Sequence, residues 1–428
     1  MSVGRLILAL ILCLCDYPLH GQTKRRVRAA DFPTPWIRSA AEFDRLIADI
    51  DRRTKERLRE GANDHLVAFL LQSSQFTIEP KIEPTLSAME FLRVTPHQVP
   101  GNVSRRMDAF LKARPRPDGD ERLQYFQDLV AGRGKTYLIT EYARTMPFLY
   151  AMERGWQLNH PPADLYQARG YAVDTQVEAN FAVWTALSVL HSLEPTFAAN
   201  RILIVGPGLD LAPRIEMLDL FPPQSYQPFA IADAVLALGL GTPDRLRVHS
   251  VDINPLVVQF FDGVPGRRKR TLNLVSGLRR DQLSADFHDY FRNLGRKIGE
   301  ESALDLPTAL ASHLAKLLTV HQDLARNVTA AEMNILTERY DPSPGYDLAV
   351  ATNILVYFKQ QELRLALANI CSMLRPGGYL VHNELRPEVE SIARELDLAP
   401  VQARTIQISA RAGKPLLDGF VIHRRVVH

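Results

Sequence analysis

The sequence predicts an α/β protein: a doubly wound, mostly parallel sheet in the C-terminal half, preceded by a helical N-terminal region. Three observations carry that expectation. From residue 201 short apolar segments alternate with helical ones, as a parallel sheet covered on both faces requires. Residues 40 to 195 instead read as helices broken by prolines. The first strand, "RILIVG", stops at a turn with two glycines, Gly206 and Gly208, where such sheets hold their ligands.

A chain of 428 residues exceeds what one hydrophobic core usually serves, so two domains are expected. Hydrophobic residues at 46% and charged residues at 23% exclude a disordered chain and a membrane bundle. The balance of 51 basic against 48 acidic residues gives no nucleic-acid signature by itself. "GRRKR" (266–270) and "KRRVR" (24–28) lack interleaved aromatics; the first reads as solvated surface and the second as the start of the mature chain, so nucleic acid is not the indicated partner.

The N-terminus, with Arg5, an apolar run from Leu6 to Cys15, Pro18 and Gly21, has the layout of a signal peptide over residues 1–21. That run is too short for a permanent span, so no transmembrane segment is expected in the mature chain. Removing it leaves Cys371 alone, without a disulfide or a cysteine metal cluster.

Residues 22–195 form the expected helical domain. Phe43, Leu46, Ile47 and Ile50 share one helical face, and "IEPKIEP", "VTPHQVP" and "ARPRPDGD" cut the next stretch into short pieces. A helix over "DTQVEANFAVWTALSVL", with Val177, Phe181, Trp184 and Ser188 in register, ends before Pro195 and feeds the opening strand. Residues 196–428 form the second domain. Its strands are "RILIVG", "LRVHSVDIN", "YDLAVATN", "YLVHNE", "RTIQISA" and "GFVIHRRVV". The roughly seventy residues between "VDIN" and "NVTAAEMN" exceed one crossover, and 262–326 is expected to be a mostly helical insertion.

The glycine pair fits either turn geometry or close approach of a ligand to the backbone. Asp252, closing the next strand, adds a carboxylate able to accept from both hydroxyls of a ribose. A dinucleotide dehydrogenase shares that logic, but Leu211 stands at its third glycine and Asp252 comes 46 residues after Gly206, not about 20. "AGRGKT" ends like a phosphate loop, yet Leu129 occupies the first glycine position and no strand leads in.

"LIVGPGLD", "VHSVDIN", "NVTAAEMN", "YDLAVATNILVYF" and "MLRPGGYLVHNE" together resemble class I S-adenosylmethionine-dependent methyltransferases over about residues 170 to 428. The closest flavour is the chemotaxis receptor (CheR-type) methyltransferase family, through "TNILVYF" followed by a helix and "LRPGGYL". Thr352 stands where that family has arginine, and its receptor-docking β subdomain is not recognisable, so a receptor glutamate does not follow as substrate. The resemblance implies a Rossmann-like, seven-stranded sheet with an antiparallel last strand, S-adenosyl-L-methionine as cofactor, and methyl transfer to an unidentified oxygen or nitrogen of a small molecule or protein. A non-catalytic protein that keeps the cofactor as a structural or sensing ligand is the alternative. The cofactor's supply argues for the cytoplasm, the signal-like segment for export.

Position by position, the resemblance implies that Gly206, Pro207 and Gly208 approach the cofactor's methionine moiety and Asp252 its ribose. Ile253 and Met333 flank the adenine, and Asn334 accepts from its amino group, unless it is an ordinary turn residue. Asn353 falls beside the methyl donor, with Tyr357 one turn on or in the core. Tyr171 and Asp174 belong to a flap over the cofactor, or cap the helix towards Trp184. A sulfonium methyl asks for alignment and exclusion of water more than for a fixed catalytic triad. His382 is the candidate for proton transfer, with Glu384 on the same side of the strand.

Overall fold

In a computed structural model, the structure describes residues 23–94, 98–116, 120–157, 163–212, 220–262, 270–409 and 416–427. The signal-like segment 1–21 lies outside them. Among the described residues no helix is long and apolar enough to cross a membrane, and no cluster of His, Cys, Asp or Glu suits a metal ion.

After a short strand β1 (Lys24–Arg26), a 33-residue helix α1 (Ala40–Gln72) starts at Ser39, whose side chain accepts the Glu42 N–H at 3.2 Å. With no proline inside it, the helix extends for about 50 Å. Its first half buries Phe43, Ile47 and Ile50 against one face of a large sheet. Its second half buries Leu66, Phe69 and Leu70 among α2 (Pro84–Arg93), α3 (Gly101–Lys112), α4 (Glu121–Val130) and α5 (Gly134–Gln157). The two halves of the chain are therefore joined by one helix that belongs to both cores. Lys135 of "AGRGKT" lies in α5 and pairs with Asp108 at 2.7 Å, a surface ion pair with no phosphate-loop geometry.

Helices α6 (Ala163–Ala168) and α7 (Ala179–Leu193) lead into β2 (Arg201–Val205), α8 (Gln227–Ala237), β3 (Arg247–Asp252) and α9 (Pro255–Asp262). Next comes an insertion with β4 (Arg270–Arg279), α10 (Ala285–Asn293), β5 (Gly299–Ser302) and β6 (His313–Val320). The chain continues through α11 (Gln322–Arg326), β7 (Val328–Glu332), β8 (Glu338–Tyr340), β9 (Tyr346–Ala351), α12 (Gln360–Met373) and β10 (Leu374–His382). It closes with α13 (Pro387–Glu395), β11 (Leu398–Gln407) and β12 (Leu417–Arg425). The large sheet has seven strands in the order β11-β12-β10-β9-β2-β3-β7. Its strands from β10 to β7 are parallel, and β12 is antiparallel to both neighbours. Both faces are covered. Ile202 and Ile204 of β2 point to one apolar cluster and Leu203 and Val205 to the other, the period of two that a strand imposes.

The insertion differs from the expectation of a mostly helical segment. It is an antiparallel three-stranded sheet, order β4-β6-β5, carrying α10. The cause is legible locally: in "RTLNLVSGL", Leu272 and Leu274 are buried while Thr271 is exposed and Asn273 half-buried, an alternation that a helix cannot present to one core. Phe287 and Tyr290 of α10 then pack on Phe181 at ring separations of 5.6 and 5.4 Å, which fixes the insertion to α7.

Candidate active site

Strand order reverses between β2 and β9, and a cleft of about 850 Å³ opens at the carboxyl ends of β9, β2, β3 and β7. Its floor begins at Gly206 (φ 68°) and Gly208 (φ 75°), both left-handed. A Cβ on Gly206 would stand 2.4 Å from Ile354 Cγ2, and one on Gly208 would stand 2.8 Å from the Val173 carbonyl oxygen. Glycine is required twice over, by backbone conformation and by space. Pro207 lines the cleft between them.

Asp252 ends β3 in the cleft wall, and its Oδ1 accepts the Asn254 N–H at 2.8 Å. Burial pushes its carboxyl up to about 6, against the pull of backbone N–H groups of Asn254, Gly208 and Ile253. Ile253, Met333 and Asn334 line the wall beyond it. Asn334 Oδ1 accepts the Leu336 N–H at 3.1 Å and its Nδ2 donates to Thr54 Oγ1 at 3.2 Å, so this amide first shapes a turn.

Asn353 comes just after β9 at φ 59°, a left-handed conformation that asparagine tolerates better than most residues. Its N–H donates to Asn383 Oδ1 at 2.8 Å, and Asn383 Nδ2 donates to Asn353 Oδ1 at 2.7 Å. Since a backbone N–H can only donate, this pairing fixes both amides and leaves Asn353 Nδ2 for the cleft. Tyr357 lines the cleft and is also a core aromatic, edge-on to Tyr171 at 5.6 Å and to Tyr166 at 5.9 Å. Burial raises its phenol above the ordinary range.

His382 is not brought to this site. It is fully buried at the end of β10, stacked on His423 of β12 at 5.2 Å, and outside the cleft lining. Its Nδ1 accepts the Glu384 N–H, so its Nε2–H donates to His423 Nδ1 at 3.2 Å, and His423 Nε2–H in turn donates to Glu390. Burial pulls the His382 imidazole down to about 3, which keeps it neutral. The expected proton-transfer role gives way to a packing role, because the strand's alternation turns this side chain towards the interior. Glu384 is likewise buried and pairs with Arg386 at 3.2 Å.

The roof of the cleft comes from α1, which the sequence did not implicate. Leu58 lines the cleft directly, and Arg57, Gly61 and His65 recur every fourth residue along one helical stripe. Arg57 stacks over the Tyr171 ring at 4.0 Å and donates to the carbonyl oxygens of Tyr166, Arg169 and Tyr357. A Cβ on Gly61 would stand 1.8 Å from the Tyr171 carbonyl oxygen, so the helix and the strap of residues 170–174 cross backbone to backbone. Tyr171 and Asp174 both line the cleft from that strap. A glycine inside a helix, flanked at ±4 by an arginine and a histidine, was the available signal, because glycine there costs about 1 kcal/mol unless close approach requires it. Gln227 and Thr352 were also missed as a pair. Gln227 Nε2 donates to Thr352 Oγ1 at 2.8 Å on the cleft wall, where Thr352 had entered only as a departure from a family pattern.

Residues 301–395 match the family model described as CheR methyltransferase, SAM binding domain. Over that segment the chain is similar to an S-adenosylmethionine-binding domain of CheR type. The cofactor that this likeness indicates is S-adenosylmethionine, and the matched segment runs from β5 to α13. No curated protein matches the chain significantly. Among solved structures, the N-methyltransferase NodS from Bradyrhizobium japonicum WM9, in complex with S-adenosyl-L-homocysteine, is similar at 14% identity and TM-score 0.30, covering 61% of this chain and 96% of that one. Magnesium protoporphyrin IX methyltransferase from Synechocystis PCC 6803 is similar at 9% identity and TM-score 0.28, covering 59% of this chain and 86% of that one. The 1,6-didemethyltoxoflavin-N1-methyltransferase from Burkholderia thailandensis is similar at 14% and 0.29, over 59% and 80%. Likenesses this distant say nothing about what this chain acts on.

Proposed function

We propose that the chain transfers a methyl group from S-adenosylmethionine to an oxygen or nitrogen of an acceptor entering beside Asn353 and Tyr357. The observation that carries this reading is the buried Asp252 carboxylate facing a left-handed glycine pair across one cleft at the switch point. The residues fit the cofactor: Gly206 and Gly208 present bare backbone to the cleft, and the buried Gln227 Oε1 has no partner among the described residues. Asp252 would accept from the ribose hydroxyls, with Ile253 and Met333 against the adenine and Gly206, Pro207 and Gly208 against the methionine. Bound there, the cofactor supplies an electrophilic sulfonium methyl. The protein's share is alignment by Asn353 and Tyr357 and exclusion of water by the α1 roof.

The ionisable side chains lining the cleft are Asp174, Asp252, Tyr171 and Tyr357, so among the described residues no imidazole or lysine base stands there. This suits an acceptor already deprotonated at neutral pH. It equally suits a second reading, a protein that binds the cofactor without transferring its methyl group.

Thermal unfolding with S-adenosylmethionine, S-adenosylhomocysteine and NAD tests the binding. Ligand at a hundred times its dissociation constant should add about 2.7 kcal/mol. Stabilisation by both adenosyl compounds and not by NAD is expected; no shift from either, in protein that releases no adenosyl compound on denaturation, would sink the proposal. Formation of S-adenosylhomocysteine in the presence of a cell extract separates transfer from binding alone.

A further inference from the structure

We propose that His65, from the N-terminal helical region, is a positioning residue that orients Asp174 to bind the α-ammonium group of the cofactor's amino-acid end. The inference rests on the proposed cofactor site and extends it to a residue far from the sheet.

Two contacts carry it. His65 Nε2 accepts the Val173 N–H at 3.1 Å, which settles the tautomer of the neutral ring: the proton is on Nδ1. That Nδ1 lies 3.4 Å from Asp174 Oδ1. The buried ring thus grips the strap through its backbone and through its acid at once. The same strap is tied on its other side to the glycine loop, since Leu209 N–H donates to the Val173 carbonyl oxygen at 2.6 Å and a Cβ on Gly208 would meet Val173, Asp174 and Thr175 together. Asp174 therefore lines the cleft beside Gly208, at the end away from Met333 and Asn334.

Position and charge together select the ligand group. Measured from the adenine end, the wall presents Met333, then Asp252, then the glycine loop, then Asp174, so the acid falls where the amino-acid end of an adenosyl thioether would reach. That end carries an ammonium, and no lysine, arginine or histidine among the described residues lines the cleft itself. Arg169, on the same side, donates to Asp64 at 3.3 Å and stacks on the Phe148 ring at 4.6 Å, and its charge also acts on Asp174 from outside the cleft lining. Gly61 and Arg57 lock the strap one and two turns earlier in α1, so His65 acts from a fixed frame.

Two probes that differ only at the amino-acid end separate positioning from mere support: S-adenosylhomocysteine, and 5′-methylthioadenosine, which lacks the ammonium and carboxylate. Calorimetric titration of the full chain should show that Asp174→Asn weakens S-adenosylhomocysteine about tenfold or more and 5′-methylthioadenosine less than twofold. His65→Gln, which can still accept from Val173 but no longer reaches Asp174 as Nδ1 does, should behave like Asp174→Asn. His65→Asn, which keeps a donor near the Nδ1 position, should retain more of the preference for S-adenosylhomocysteine. Equal weakening of both probes, or no change in either with Asp174→Asn, would overturn the inference while leaving the cofactor reading intact. A wild-type chain that binds neither probe would remove the cofactor reading and this inference with it.

Discussion

The floor and the roof of the cleft are built on opposite principles. The floor gathers Gly206, Gly208, Asp252 and Asn353 from the ends of neighbouring parallel strands, each at the point where its strand stops. The roof is the side of a single long helix, and its Arg57, Gly61 and His65 reach a strap more than one hundred residues away in sequence. A floor of strand ends is set by topology, since any parallel sheet delivers its turns to one edge. A roof of helix side depends on one crossing, and here that crossing needs glycine on both partners: a Cβ on Gly170 would stand 2.3 Å from the Gly61 nitrogen. Damage to the floor should therefore remove binding, whereas damage to the roof should weaken it.

The largest effect is expected at Asp252. Asp252→Ala should reduce S-adenosylhomocysteine affinity by a hundredfold or more, read by calorimetry, because a buried carboxylate that accepts two hydroxyls has no substitute nearby. The isosteric Asp252→Asn sharpens the point through stability. Burial raises the folded carboxyl to about 6 from an ordinary value near 4, so the folded state holds this proton more tightly than the unfolded chain does. Its contribution is then present at low pH and is lost as pH rises from about 4 through 6. Without ligand, Asp252→Asn should abolish that loss and unfold at a higher urea concentration than wild type at pH 7, while failing to bind cofactor. Equal stability at pH 7 would contradict the desolvation account.

Next in size comes the crossing itself. Gly61→Ala places a methyl group against the Tyr171 carbonyl and must displace the strap, so affinity should fall about tenfold and stability by about 1–3 kcal/mol. A variant with wild-type affinity would show that the roof does not contribute to binding. Smaller again is a pH effect on the floor. Ribose hydroxyls stabilise ionised Asp252, so S-adenosylhomocysteine affinity should be full above about pH 6 and decline below it, up to tenfold per unit. A flat profile from pH 5 to 7 would mean that the carboxylate is not the ligand group. The smallest effect on binding is expected at His382→Asn, which keeps an amide near the Nδ1 position and has nothing at the Nε2 position. It breaks the chain to His423 and Glu390 and should cost about 1–2 kcal/mol of stability, with affinity unchanged within twofold.

Legibility in the sequence divides along the same line. The parallel sheet, the glycine turn and the acid after the second strand were legible because each is a local pattern whose place in the fold is fixed by strand order. The insertion was misread from its length, although "TLNLVSGL" already alternated. His382 was misread because the strand's alternation says that 382 and 384 share a side, not which side; only its burial against His423 shows that it is the interior. Arg57, Gly61 and His65 were not legible as site residues, since nothing in a helical stripe records what crosses it. Their spacing marked a contact face, and the strap it meets is a product of tertiary packing.

The most direct test of the account is calorimetric titration of the full chain with S-adenosylhomocysteine, wild type beside Asp252→Ala and Asp174→Asn. The account expects one binding site per chain in the wild type, no detectable binding for Asp252→Ala and weakened binding for Asp174→Asn. Undiminished binding to Asp252→Ala, or no binding to a wild-type chain shown to carry no adenosyl compound, would contradict the claim that floor and roof together form the cofactor site.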